Sequence, residues 1–303
     1  MKQSKIAVIG AGAVGSTTAY ALMLRNIISD ICIVDALDLK CQGEVEDLSD
    51  VLSFSTTSSI TMGTLQEAGQ ADIIIITAGI AQKKGQSRTD LLKVNSTVIQ
   101  SICDGMRPLN REAIIIVVTN PVDVLTHLVQ KLTQLPYGQV FGSGTLLDSQ
   151  RIRNAISKKI GVSPQSIHLY VLGEHGDSQV VAWSCGTVAN VPLLQYPGLS
   201  FDELQKMAQE SKNKAYSIIA CKGSTSFGVA SCVAAYCQNI LFDAKRVTPV
   251  SCFNKEYEIY MSMPAIMGKN GIEQVVTLPL NEEEKKLLDA SAEVIKQGFE
   301  HCF

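Results

Sequence analysis

The sequence predicts an α/β protein: a doubly wound parallel sheet in the first half and a C-terminal α+β domain in the second. Three observations lead there. Short, continuously apolar segments alternate with helical patterns from Ile6 to Phe141, as strands covered on both faces do. The first of them runs into its helix through a glycine-rich turn. After Gly142-Ser143-Gly144 the alternation loosens, which predicts one domain over residues 1–144 and another over 145–303.

Ile6-Ala7-Val8-Ile9 is the first strand, and Gly10-Ala11-Gly12-Ala13-Val14-Gly15 follows it, opening a helix through Leu24. The first two glycines allow a tight turn and the close approach of a pyrophosphate. The third lets helix pack on strand, and the helix N-terminus, with Ala13 and Val14 in its first turn, faces the phosphates. Alone the motif is common. Here a second strand, Ile31 to Val34, ends in Asp35, 20 residues after Gly15, where an acid accepts hydrogen bonds from an adenosine ribose. No arginine directly follows Asp35, so the cofactor expected is NAD rather than NADP.

The alternation continues with a helix over Leu37–Leu52, weakened by Gly43, a strand over Ala71–Ile76, and a helix over Asp90–Met106. A strand over Ala113–Val118, a helix over Val122–Leu132 with Pro121 at its start, and a short strand at Val140-Phe141 complete the first half. Ligands bind beyond the C-terminal ends of such strands, and Thr77-Ala78-Gly79 and Thr119-Asn120 lie there. Asn120 is either a turn residue before proline or a side-chain amide beside nicotinamide and substrate. The polar, glycine-containing stretch Ile80–Thr89 has the character of a lid. Its Arg88 is either a lid cation or the solvated first turn of the next helix.

In the second half, a helix over Thr145–Ile160 places Asp148 and Arg151 three residues apart, on one face. They are either a helical ion pair or divided in role, Arg151 gripping a carboxylate and Asp148 orienting His175. That histidine lies in Leu172-Gly173-Glu174-His175-Gly176-Asp177, at the end of an apolar run from Ile167 that reads as a buried strand. Between glycines it is sterically open, and its near-neutral pKa suits proton transfer. Val180–Val188 reads as a strand, Phe201–Ala220 and Phe227–Phe242 as helices, and Arg246–Phe253 and Glu258–Pro264 as strands of an antiparallel sheet. The last helix, Asn281–Phe299, opens on an asparagine cap and three glutamates, which suit the helix dipole rather than an acidic site.

Composition narrows the function. The net charge of −3 supplies no basic field, so nucleic acid is not an expected partner. No apolar run approaches the roughly 20 residues that span a bilayer. The N-terminal Ile6–Gly15 is too glycine-punctuated for a secretory leader. Nine scattered cysteines with no Cys-x-x-Cys pair suit reduced thiols in the cytoplasm, and no metal site is expected.

Together, Gly10-x-Gly12-x-x-Gly15, Asp35, Thr77-Ala78-Gly79, Ser87-Arg88, Thr119-Asn120-Pro121-Val122-Asp123, Leu147-Asp148-Ser149-x-Arg151 and Gly173-Glu174-His175-Gly176-Asp177 resemble the lactate/malate dehydrogenase superfamily over nearly the full length. The resemblance implies a Rossmann NAD-binding domain and a substrate domain. It implies that His175, paired with Asp148, donates a proton to the substrate carbonyl, that Arg151 binds the carboxylate, and that Arg88 polarises the carbonyl. Asn120 then holds substrate and nicotinamide. In this family the position six before the lid arginine is arginine in malate enzymes and typically glutamine in lactate enzymes; here it is Gln82. A neutral amide leaves the second carboxylate of oxaloacetate uncompensated, which favours pyruvate and L-lactate over malate or another L-2-hydroxy acid. Lys83 and Lys84 beside it are taken as solvated lid charges. Thr225 matches the residue lining the substrate methyl pocket, although Ser224 stands where the family usually has an aromatic. Arg153 and His168 fall where allosteric bacterial members bind fructose 1,6-bisphosphate between subunits; they are either a cradle for that effector or an exposed helical arginine and a strand-end histidine. A homotetramer is expected, and the short N-terminus suits a bacterial-type enzyme of glycolysis and fermentation.

Overall fold

The computed structural model describes residues 4–25, 27, 29–55, 59–80 and 88–300, without the side chains of Arg88 and Thr89. The first half runs β1 (Ser4–Ile9), α1 (Ala13–Leu24), β2 (Ser29–Val34), α2 (Asp38–Asp50), β3 (Ser59–Met62), α3 (Leu65–Ala68), β4 (Ile73–Ile76), α4 (Arg88–Gly105), β5 (Ile114–Val117), α5 (Val122–Thr133) and β6 (Val140–Gly142). These six strands pair in parallel in the order β6-β5-β4-β1-β2-β3. Every residue of β4 and β5 is buried, which is why both read as unbroken isoleucine and valine. Two elements escaped the sequence reading. Strand β3 buries only Ile60, and α3 is a single turn closed by a capping box between Thr64 and Glu67.

The second half opens with α6 (Leu146–Ile160), followed by five two-residue strands: β7 (Ile167–His168), β8 (Val171–Leu172), β9 (Val180–Val181), β10 (Thr187–Val188) and β11 (Val191–Pro192). Then come α7 (Phe201–Lys222), α8 (Phe227–Leu241), β12 (Arg246–Asn254), β13 (Ile259–Gly268), β14 (Gly271–Val275) and α9 (Glu282–Glu300). Strands β12 and β13 are antiparallel, as expected, and β14, for which the sequence carried no expectation, extends them; the three do not make a sheet of their own. Ser251 of β12 pairs with Gly142 of β6, so one nine-stranded sheet runs through both halves.

Two expected strands are broken. Residues 167–172 and 180–188 do lie antiparallel, but Leu169-Tyr170 faces five residues, Ala182 to Gly186, so the ladder splits into β7–β10 and β8–β9. The extra residues turn Trp183 inward against a second core with Ile152, Ile156, Leu169 and Leu204, and burying that indole outweighs the lost ladder bonds. Beyond β8, Gly173 exchanges both main-chain hydrogen bonds with Ser262 of β13, at 2.9 and 2.8 Å. Gly173 has φ +82°, and a Cβ there would lie 2.4 Å from Ser291 Oγ, so glycine is required where the chain turns toward His175. Among the described residues no single helix is long and apolar enough to cross a membrane.

Candidate active site

At the end of β1, Gly10 has φ +108°, and a Cβ there would lie 2.6 Å from the Ala78 nitrogen. At Gly15 a Cβ would overlap the Gly10 carbonyl oxygen at 1.8 Å, so α1 sits against the turn as only glycine permits. Around Gly12 a Cβ would meet nothing within 4 Å, and Gly12 caps α1 with no side-chain hydrogen bond. The first-turn N–H groups are therefore open to an anion. Asp35, at the end of β2, accepts from the Ala11 N–H at 2.6 Å and the Leu37 N–H at 2.9 Å. Those bonds fix the carboxylate and leave lone pairs for ribose hydroxyls. Thr77 donates to the Gly10 carbonyl at 2.9 Å, joining the ends of β1 and β4 at the crevice where the strand order reverses. An uncapped helix end, open space at the second glycine and an anchored carboxylate at the second strand end together fit NAD.

The histidine of Gly173-Glu174-His175 lies at the same edge of the sheet, its main-chain N–H held at the start of α5. His175 Nδ1 is 2.7 Å from Asp148 Oδ2, and Asp148 Oδ1 accepts from Arg151 Nη1 at 3.3 Å. Asp148 and Arg151 thus pair with each other, and Asp148 also holds the imidazole. Burial pushes the His175 pKa down, but the charge and hydrogen bond of Asp148 outweigh it, helped by Asp123 and opposed by Arg151, and it settles at about 8. For Asp148 burial pushes up, while His175 first and Arg151 second hold the carboxyl below the usual carboxylate range. The His175 side chain keeps 28% of its surface exposed and that of Arg151 only 9%. With Nδ1 on the carboxylate, Nε2 is the atom that presents a proton to a ligand.

Asn120 is exposed at the end of β5, and its carbonyl accepts from Asn95 Nδ2 at 2.7 Å. Asn95, buried in α4, also accepts from the Ile80 N–H at 2.8 Å, so it ties the start of the expected lid to Asn120. Thr225 is half-buried in the turn between α7 and α8. Gln82, Lys83 and Lys84 lie outside the described residues, as does the side chain of Arg88, which opens α4. Arg153 Nε donates to the Leu169 carbonyl at 2.8 Å with its guanidinium 5.1 Å over Tyr170, while His168 is exposed on β7.

One residue that the sequence offered only as part of a motif, with no role of its own, is central. Asp123, in the first turn of α5, accepts the His175 main-chain N–H on Oδ2 at 2.8 Å and is 3% exposed. Burial pushes its carboxyl up to about 6, against the pull of the neighbouring Ser251 hydroxyl and of the His175 N–H. Its signal was an aspartate in a helix whose residues from Val122 to Val129 are all buried, a costly place for a charge without a task.

A dinucleotide cradle beside a carboxylate-held histidine and a buried arginine defines a nicotinamide-dependent dehydrogenase acting on a small anionic substrate. More narrowly, the chain belongs to the lactate/malate dehydrogenase family. Residues 4–142 match that family's NAD-binding domain and residues 145–303 its alpha/beta C-terminal domain. The chain is 45% identical to L-lactate dehydrogenase A of Rhizopus oryzae, over 97% of this chain and 91% of that one. It is 39% identical to L-lactate dehydrogenase of Clostridium botulinum (strain Loch Maree / Type A3), over 97% and 95%. Among solved structures it is similar to a minor L-lactate dehydrogenase from Enterococcus mundtii in a ligands-bound form, with TM-score 0.95, 34% identity and coverage of 99% and 98%. A lactate dehydrogenase from a Medee basin deep-sea metagenome library gives TM-score 0.94, 32% identity and coverage of 100% and 99%.

Proposed function

We propose that the chain is an L-lactate dehydrogenase, reversibly reducing pyruvate to L-lactate with NADH. The observation that carries this reading is the Asp148 carboxylate shared between His175 and Arg151 at the edge of an NAD cradle. When bound, NADH supplies the hydride that reaches the substrate carbonyl carbon. His175 supplies the proton that the carbonyl oxygen takes, from Nε2, and Asp148 stabilises the imidazolium until then. Arg151 grips the substrate carboxylate through guanidinium N–H groups other than the one given to Asp148. The Asn120 amide holds substrate against nicotinamide, and Arg88 polarises the carbonyl. Thr225 lines the methyl pocket.

Gln82 supports pyruvate over oxaloacetate, since an arginine in its place would pair the second carboxylate. NADH oxidation with each 2-oxo acid tests this. Faster turnover of pyruvate is expected, and faster turnover of oxaloacetate would make the chain a malate dehydrogenase instead.

The same reading extends to assembly and control. The enzyme divides at residues 144/145 into cofactor and substrate domains and acts in the cytoplasm, as the eight unpaired cysteines among the described residues suit. It forms a homotetramer: Leu39, Phe54 and Phe227 are 86%, 84% and 70% exposed, and each belongs to a helical segment that packs on α1. Arg153 and His168 bind fructose 1,6-bisphosphate at a subunit interface. Pyruvate saturation curves with and without millimolar bisphosphate test this, and identical curves would remove the effector from the proposal.

A further inference from the structure

We infer that Asp123 is a positioning residue for the reaction: its carboxylate anchors the His175 main chain, and its negative charge stabilises the protonated imidazole. The inference rests on His175 being the proton donor.

The geometry has three parts. Asp123 Oδ2 holds the His175 N–H at 2.8 Å, a contact between residues 52 apart that brings a buried charge within electrostatic reach of the imidazole. Its other oxygen, Oδ1, makes no well-aligned hydrogen bond, and the hydroxyl that favours its charged form is that of Ser251. Ser251 Oγ and Ser262 Oγ, on residues that face each other across β12 and β13, are likewise without a well-aligned partner. Three of the four such buried side-chain atoms among the described residues thus belong to the elements that back the histidine turn, with Gly173 bonded to Ser262. A helix anchor alone needs no charge there, because an amide or hydroxyl oxygen accepts an N–H equally well. A carboxylate that stays ionised in such a place is explained by a cation that it serves, and imidazolium is that cation.

Among the described residues, the titratable and charged groups facing the pair come from four places. Asp148 and Arg151 face His175 from α6, and Glu174 adjoins it in the turn. Cys252 of β12 faces Asp123, while Cys232 and Tyr236 of α8 face Asp148. Burial raises all three of these last groups well above neutrality, so they carry no charge at working pH. Asp123, at about 6, is charged near neutrality.

Asp123→Asn separates charge from shape, because the amide oxygen can still accept the His175 N–H. The probe is the imidazole of His175 in full-length enzyme labelled at histidine, titrated by NMR and assigned by the signal lost in His175→Asn. The midpoint is expected to fall by about half to one unit in Asp123→Asn. The high-pH limb of kcat/KM for pyruvate should fall with it. An unchanged midpoint in a folded variant overturns the inference. If the variant does not fold, the wild-type titration decides: the His175 ring signal should show a second inflection near pH 6, where Asp123 changes charge, and a single inflection overturns the inference. A shifted midpoint in an enzyme that ignores pyruvate would leave this inference standing and remove the lactate reading. Pyruvate turnover with an unmoved midpoint would do the reverse.

Discussion

Asp148 Oδ2 lies 2.7 Å from His175 Nδ1, and that contact leaves Nε2 as the free end of the imidazole. Nδ1 keeps its proton on the carboxylate, leaving Nε2 as donor. Asp148→Asn keeps the shape but removes the charge, and an amide nitrogen aimed at Nδ1 would favour the wrong tautomer. The expected loss in kcat is ~10²–10⁴-fold with little change in NADH affinity, since the cradle at Gly10–Gly15 is untouched. Stopped-flow reduction of pyruvate and NADH fluorescence titration measure the two separately. A kcat within threefold of wild type would contradict the role given to Asp148.

The direction of the pH dependence follows from the sign of the His175 shift. Its pKa is raised to about 8, so the imidazolium that reduction needs is present below that value and disappears above it. Pyruvate reduction should therefore hold level through neutrality and fall above about pH 8. Lactate oxidation needs the neutral imidazole and should rise through the same pH. The two kcat/KM profiles, recorded from pH 6 to 10, should cross in opposite senses; parallel profiles would remove His175 as the titrating group.

Arg151 is expected to govern substrate capture. Arg151→Gln removes the bidentate fork and frees Asp148 Oδ1, whose other oxygen still holds His175. Losing a buried charged partner costs roughly 2–4 kcal/mol, which is about 30- to 1,000-fold in kcat/KM. Most of it should appear in KM, because the carboxylate is bound before and during the hydride step alike. An unchanged KM for pyruvate would place the carboxylate elsewhere.

What the sequence made legible is what its neighbours in the chain determine. The turn from Gly10 to Gly15 is largely local: a Cβ on Gly15 would meet the turn's own Gly10 carbonyl, and the strand and helix flanking it are continuous in sequence. Asp35 was legible because a strand end fixes where its carboxylate lies. The breaks at 167–172 and 180–188 were not, because an apolar run has the same look whether it stays in one ladder or turns Trp183 into a second core. Asp123 was hidden for a related reason. An acid in the first turn of a helix looks like a dipole partner, and its true partner is 52 residues away. The junction of β12 with β6 rests on one residue pair, Ser251 with Gly142, too small a pattern to carry a signal in either segment.

His127, one turn beyond Asp123 on α5, gives a prediction about stability rather than catalysis. Its ring stacks on Phe299 of α9 with centroids 3.9 Å apart and planes 10° from parallel, and it lies 5.5 Å from the ring of Tyr260 and 6.4 Å from that of Phe253. Burial, and to a lesser extent the Lys131 charge, push its pKa down to about 4. The unfolded chain therefore takes up the proton first, near pH 6.5. The stabilisation from the neutral stack is complete above that value and is lost as pH falls toward 4, reaching on the order of 3 kcal/mol. His127→Phe keeps an aromatic ring between α5 and α9 and removes the titration. Its stability at pH 7 should lie close to that of wild type, and the gap between the two should widen in the variant's favour as pH drops to 4. Acid-labile carboxylates such as Asp148 are common to both proteins, so their effect cancels in the difference. Urea unfolding at matched pH values measures that gap, and curves that stay parallel from pH 7 to 4 would mean the His127 ring carries no penalty on protonation.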